Sequence, residues 1–224
     1  MRRRNIDMSG GKVLFKVFFA LLVLSAIVTE IVVLLERGMF NPGHFFSFFT
    51  VQANIFAGAM LLFGAAYLLA GNSSRTLDFF RGAATLYLLV TGVVFAVLLS
   101  GLEGINFTAV PWDNIVLHYI MPIVMIADWL WDNPSQTVTF RRALKWLVYP
   151  IVFVGYTFVR GVFANWYPYP FLDPTNDGGY AYVAVVTVVI LLGGIVGLYL
   201  VTRVNGKKRG PLGLFTLFRD RSII

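Results

Sequence analysis

Six long apolar segments constrain this chain more than any other feature of its sequence. A helix that crosses a bilayer needs about 20 predominantly apolar residues. The segments of that length lie at about residues 13–35, 45–70, 82–101, 113–131, 143–164 and 180–202. Because lipid offers no partner for backbone polar groups, each spanning segment must close its own hydrogen bonds. The sequence therefore predicts an all-α integral membrane bundle of six transmembrane helices, in a single domain over residues 1–224.

Charged residues are few and unevenly placed. Only 13% of the 224 residues are charged, against about 25% in soluble domains. Lys and Arg concentrate at the N-terminus, in the loops 71–81 and 132–145, and in the tail 203–224. Such a bias marks the cytoplasmic side of membrane proteins. We therefore expect a cell-membrane protein with both termini in the cytoplasm, and a basic tail that is either solvated or bound to anionic lipid.

Composition also excludes several classes of function. The net charge of +7 follows the predicted topology, so it does not indicate a nucleic-acid partner. The chain has no cysteine, which excludes disulfides and thiolate metal sites. His44 and His118 lack the ligand spacing of a zinc site, and His44 lies in a loop, where it is poorly placed for a bis-histidine haem. We expect no metal, no cofactor and no nucleic acid, with the lipid bilayer as the surrounding partner.

Several polar residues of the predicted helices share one depth in the outer third of the bilayer. Ionisable side chains inside membrane spans are costly and are functional candidates by default. At a rise of about 1.5 Å per residue, four helices bring to that depth Glu30, Thr50, Asn54, His118 and Arg160.

Helical spacing adds local detail to this set. Tyr156 lies four residues before Arg160 and shares its face of the fifth helix. Pro122 lies four residues after His118, where it removes the N–H that would bond the His118 carbonyl and kinks the helix.

Each candidate also has a structural interpretation. A threonine in a membrane helix usually bonds a carbonyl of its own helix, which is the alternative role of Thr50. Glu30 and Arg160 can simply neutralise each other. Asp128, close to Asp132 near the inner end of the fourth helix, is interpreted as a boundary or loop-anchoring residue rather than part of the outer site.

The segment NWYPYPFLDP (165–174) is the most distinctive local stretch. Its aromatic residues lie where an outer aromatic belt is expected. Its three prolines make it stiff and non-helical, so it can instead form a rigid lip over the outer end of the bundle, beside Arg160.

The shared depth suggests a chemistry. A hydroxyl becomes a nucleophile when an adjacent base takes its proton, and His118 is the only residue of a predicted span with an ordinary pKa near neutrality. We therefore predict an acyl-transfer site with Thr50 as nucleophile and His118 as base. The candidates for orienting the imidazole, binding substrate or stabilising an oxyanion are Glu30, Asn54, Asp113, Tyr156 and Arg160.

Three stretches carry a resemblance to a known family. FFSFFTVQANIF (45–56), LHYIMPIVMIADW (117–129) and the run 149–174 that ends in WYPYPFLDP resemble the six-helix androgen-induced and androgen-dependent membrane proteins and their bacterial relatives. The resemblance covers most of the chain in helix count and order. WYPYPFLDP is the sharpest mark of the bacterial relatives.

The resemblance implies an activity. Vertebrate members of that family are threonine-dependent hydrolases of fatty acid esters of hydroxy fatty acids. Their required threonine lies early in a helix in an aromatic-rich context, which Thr50 in FTVQAN matches. Their required histidine lies shortly before a proline, as His118 does in HYIMP. The resemblance thus implies a Thr–His hydrolase of the bacterial inner membrane, acting on a membrane lipid or fatty acid ester.

Two other classes of function stay open on the sequence. The same polar cavity can serve a non-enzymatic carrier or sensor that holds a lipid head group or an anion. Alternatively, the chain is a scaffold that binds another membrane protein through small-residue faces, such as the one formed by Gly193, Gly194 and Gly197.

Overall fold

Six long helices form the protein. The computed structural model describes residues 2–102 and 108–206, with side chains described at 9–102 and 108–204. Each helix is long and apolar enough to cross a membrane: α1 (Ser9–Glu36), α2 (Phe49–Leu69), α3 (Arg75–Leu99), α4 (Pro111–Trp131), α5 (Phe140–Ala164) and α6 (Gly179–Val204). Helical backbone continues to Arg2 before α1 and to Gly206 after α6. The all-α, six-helix prediction is confirmed; residues 207–224 of the predicted basic tail lie outside the described residues.

The starts of α2 and α3 differ from those that hydropathy predicts. Residues 45–48 do not start α2, because Pro42–Phe45 is a separate short helix whose first turn is capped by Asn41. The third helix begins at Arg75 rather than near residue 82, since the Ser74 hydroxyl accepts a hydrogen bond from the Leu77 N–H and caps the extra turns. Hydropathy misses those turns because they carry the charged residues Asp78 and Arg81.

The six helices are unequally buried. α1 packs on α2 and α4, while α3 contacts α2, α4 and α6. About half of the apolar stretch of α2, α3 and α4 is buried, but only 22% in α5 and α6. We call the end where α1 begins and α6 ends the basic end. The opposite end carries residues 165–174, which we call the lip.

A buried ionic network joins α1, α3 and α4 at the basic end. Lys16 is fully buried; it forms an ion pair with Asp128 and a second one of 3.0 Å with Asp132. Arg81 lies 2.8 Å from Asp128 and 3.3 Å from Asp132. The network is extended by Lys12, Asp78 and Ser135. Asp128 is thus separate from the lip end, as expected, but it anchors helices rather than a loop.

Candidate functional site

A cavity of about 800 Å³ lies at the lip end, between the first four helices and the lip. Three of the predicted site residues line it: Glu30 from α1, Thr50 from α2 and His118 from α4. Tyr169 of the lip and His44, in the segment between α1 and α2, also line this cavity. The structure therefore places the predicted nucleophile and the predicted base at one cavity.

Thr50 is the second residue of α2. The start of this helix has no side-chain cap from its own N-cap residue, so its first N–H groups need other partners. The N-cap residue Phe48 provides no side-chain hydrogen bond. The Thr50 N–H instead donates to the hydroxyl of Tyr169 at 3.1 Å, and Thr50 Oγ1 lies 3.3 Å from the same oxygen. The partner of the Thr50 hydroxyl thus comes from the lip and not from its own helix, which is the reverse of the structural alternative.

Tyr169 is buried, and burial raises the pKa of its phenol despite the hydrogen bonds from Thr50. A neutral phenol has one proton to donate and lone pairs to accept. The Tyr169 hydroxyl can therefore accept a hydrogen bond from the Thr50 N–H while it donates a hydrogen bond to Thr50 Oγ1. That arrangement leaves the Thr50 proton available to a base.

The backbone partner of His118 fixes the orientation of its imidazole ring. Its Nδ1 lies 3.1 Å from the carbonyl oxygen of Asn114, and a carbonyl only accepts, so Nδ1 carries the hydrogen. The lone pair of the neutral ring is then on Nε2. The ring also stacks on Phe95, with 4.0 Å between centroids. The prediction that Glu30 or Asp113 orients the imidazole is wrong, because the Asn114 carbonyl already occupies Nδ1.

Two π-helical turns shape the wall beside His118. Val116–Ile120 contains the histidine and Phe95–Leu99 contains its stacking partner. Such turns are rare and occur frequently at functional sites. α3 approaches α4 closely here, since a Cβ on Gly92 would lie 3.0 Å from Pro122 and 3.3 Å from the His118 carbonyl oxygen. The distortion expected from Pro122 is therefore a widened turn directly before it.

Two carboxyl groups meet on the α1 side of the site. Both oxygens of Glu30 accept from the Ala109 N–H, at 2.7 and 2.9 Å. Asp113 is fully buried, faces Glu30, and has no donor for either oxygen within the described residues. The contact between Asp113 and Glu30 is a hydrogen bond only when one of these two carboxyl groups carries a proton.

Asn54 connects the elements that carry Thr50 and His118. Its buried amide nitrogen donates to the carbonyl of Thr50 at 2.9 Å and to that of Leu117 at 3.1 Å. Asn54 does not line the cavity. It therefore positions α2 against α4 instead of contacting substrate as predicted.

Tyr156 and Arg160 lie outside the cavity wall. The Tyr156 hydroxyl is 2.8 Å from Ser47 Oγ, and the Arg160 guanidinium lies 4.9 Å from the ring centre of Trp166. No ion pair joins Arg160 to Glu30 in the part of the chain that the structure describes, so the expected neutralisation does not occur. The polar face of α5 meets Ser47 and the lip residue Trp166 rather than the cavity.

The lip combines both interpretations of its sequence. Asn165 ends α5 in a left-handed conformation, with φ of 49°, and a short 3₁₀ turn follows at Pro170–Leu172. Tyr169 and Phe171 are buried and stacked on each other, with centroids 5.1 Å apart, which agrees with a rigid lip. Trp166 is only half-buried; it stacks on His44, whose pKa is lowered by burial and by the charge of Arg160.

Sequence reasoning missed Tyr169, Phe95 and Asn114 as parts of the site. The lip sequence could have indicated Tyr169, but nothing in the sequence indicates which lip residue reaches α2. Among the described residues, no group of three or more His, Cys, Asp or Glu side chains could hold a metal ion.

Comparisons with known proteins add no constraint on this site. No protein-family model matches the chain, and neither a curated protein nor a solved structure matches it.

Proposed function

We propose that this protein is a threonine-dependent hydrolase of lipid (fatty acid) esters, embedded in the cell membrane with both termini cytoplasmic. The observation that carries the proposal is that Thr50 and His118 line one cavity while the Nδ1–H···O bond to Asn114 leaves His118 Nε2 as the basic nitrogen. The resemblance at FTVQAN and HYIMP supports the same pair, and the charge bias of the loops supports the orientation.

The reaction follows from these groups. His118 Nε2 takes the proton of Thr50 Oγ1, and the oxygen attacks the ester carbonyl carbon to give a tetrahedral oxyanion. The Tyr169 hydroxyl, 3.3 Å from Thr50 Oγ1, is the donor that we assign to that oxyanion. The C–O bond to the alcohol then breaks, and the imidazolium returns its proton to the leaving oxygen. Water, activated by His118, hydrolyses the acyl-threonine and regenerates the hydroxyl.

Thr50 and His118 are not hydrogen-bonded to each other within the described residues. Catalytic hydrogen bonds are often long without substrate and shorten in the complex. The same observation, however, favours a second candidate function, in which the cavity belongs to a non-enzymatic carrier or sensor for a lipid or an anion.

Labelling of the purified protein by a fluorophosphonate probe tests the hydrolase. Thr50→Ala and His118→Ala should each abolish labelling, because one removes the attacking oxygen and the other the base. Thr85→Ala is the matched control, since Thr85 is also a buried threonine, bonds the Arg81 carbonyl and does not line the cavity. Labelling that persists in a folded Thr50→Ala protein would contradict the proposal. Native mass spectrometry that finds a bound lipid but no product would favour the carrier.

A further inference from the structure

A second cavity lies beside the first and differs from it in chemistry. It has a volume of about 280 Å³ and runs between α3, α5 and α6. Its wall is almost wholly hydrocarbon, from side chains such as Leu86, Val90, Phe153 and Ile190. We call it the apolar slot.

The apolar slot and the polar cavity meet at the proposed nucleophile. Four residues line both spaces: Thr50, Phe95, Leu99 and Tyr169. A molecule that spans the junction would therefore place a polar group near Thr50 and His118 and a hydrocarbon part in the slot. That division matches an acyl ester, whose carbonyl is polar and whose chain is not.

The length and the opening of the slot also suit one acyl chain. Along α3 its wall extends from Leu86 to Leu99, which corresponds to about 20 Å at the helical rise. One leaflet of bilayer hydrocarbon is about 15 Å thick. Ile151 lines the slot and is 55% exposed, and α5 and α6 pack together chiefly near their basic ends. The slot therefore opens laterally, where a lipid chain can enter.

The far end of the slot is formed by α6. Gly194 is buried in the wall, and a Cβ there would lie 3.9 Å from Leu147 and 4.0 Å from Val90. One turn further, at Gly197, α6 approaches α3 so closely that a Cβ would lie 3.1 Å from Leu89. Gly194 is thus the last residue of α6 that lines the slot before α6 closes on α3.

We propose that the apolar slot binds the acyl chain of the ester, with the carbonyl carbon at Thr50, and that Gly194 sets the longest chain accepted. This inference rests on the proposed hydrolase. A space between packed helices forfeits dispersion contacts unless hydrocarbon fills it, and each methylene buried there adds to binding. A side chain at position 194 therefore competes with the end of a long chain but not with a short one.

The neighbouring glycine provides a matched control. Gly193 is exposed, with nothing within 4 Å of a Cβ, so Gly193→Leu adds the same atoms outside the slot. We expect Gly194→Leu to lower kcat/KM for long-chain esters by about tenfold or more, because methylenes are excluded from burial, and to leave short-chain esters nearly unchanged. Gly193→Leu should leave both unchanged. Equal chain-length profiles for the two variants would overturn the inference.

Binding can be measured without turnover. A long-chain fatty acid with a diazirine at its terminal carbon, photolysed with the wild-type protein and with Thr50→Ala, should label peptides that contain Leu86, Leu147 or Gly194. Gly194→Leu should lose that label and Gly193→Leu should keep it. Labelling in the slot without any ester hydrolysis would contradict the proposed hydrolase but support binding of an acyl chain in the slot. Ester hydrolysis with labelling outside the slot would contradict binding of the acyl chain in the slot but support the proposed hydrolase.

Discussion

Both ends of the bundle bury ionisable side chains, yet they treat them differently. At the basic end, Lys16, Arg81 and Asp128 are paired with one another or with neighbours of opposite charge. At the lip end, no donor among the described residues reaches either oxygen of Asp113, and the hydrogen bond that His118 makes there is through Nδ1. Unpaired polar groups are costly in a low-dielectric interior, so we expect the fold to retain them only where they serve a purpose other than stability.

The comparison separates stability from chemistry. A buried ion pair that loses one member leaves an uncompensated charge and destabilises strongly. A buried carboxyl group that has no donor, such as that of Asp113, loses no donor when it is altered. The same kind of substitution should therefore have different consequences at the two ends.

The largest effect on stability is expected at the basic end. Asp128→Asn keeps the side-chain volume but removes the negative charge between Lys16 and Arg81. We expect a loss of about 3–5 kcal/mol in the free energy of unfolding, measured by thermal or denaturant unfolding in detergent. Adding Lys16→Met to Asp128→Asn should recover part of the loss, because it removes the uncompensated cation. Wild-type stability in the single variant would show that the network is not needed.

The largest effect on activity is expected at the lip. Tyr169→Phe removes the donor beside Thr50 Oγ1 and should lower kcat by about 10²–10³-fold, as for one lost oxyanion donor. The accompanying loss of stability should be about 1–3 kcal/mol, because the Thr50 N–H loses its partner as well. Ester hydrolysis and thermal unfolding measured on the same preparation test both numbers. Unchanged hydrolysis with lowered stability would make Tyr169 a purely structural residue.

A smaller effect, of opposite sign, is expected at Asp113. Asp113→Asn replaces one of two facing carboxyl groups by an amide, which can donate to Glu30. We expect the protein to gain about 1 kcal/mol of stability, the contribution of one hydrogen bond. Thermal unfolding of Asp113→Asn beside Asp128→Asn makes the comparison direct. Destabilisation by both variants to the same extent would contradict the contrast between the two ends.

The smallest effect is a dependence on pH. Burial alone would raise the pKa of Asp132, but the charges of Arg81 and Lys16 and the hydrogen bonds from Lys16 and Lys12 hold it below the ordinary value. A lowered pKa contributes stability that is present above the unfolded value of about 3.9 and is lost as pH falls through the folded value. The free energy of unfolding should fall less steeply with decreasing pH in Asp132→Asn than in the wild type. An unchanged slope would mean that Asp132 gains nothing from its partners.

Some of this arrangement could be predicted from the sequence. The six helices follow from hydropathy alone, and the helical rise correctly brings Glu30, Thr50 and His118 to one cavity. The rise gives depth but not rotation or tilt, and for this reason the predicted site wrongly includes Tyr156 and Arg160. Both belong to α5, whose polar face meets Ser47 and the lip residue Trp166 instead of the cavity.

The basic end shows the opposite limit. The charge count groups Lys16 with the N-terminus, although residue 16 falls within the predicted span 13–35, and it assigns Arg81 to the loop 71–81. The structure places both inside helices because acidic partners from α4 compensate them. Those partners are 112 and 47 residues away in the chain. A local sequence pattern does not predict pairing between residues so far apart.

The bond between Tyr169 and the start of α2 has a kinetic consequence. The Tyr169 hydroxyl also accepts hydrogen bonds from N–H groups of the first turn of α2, including that of Phe49. The lip is therefore bonded to that turn. A lip that lifts away must leave backbone donors without a partner and must release the threonine in the same motion. Entry through this end and freeing of the hydroxyl are therefore one event, with one barrier.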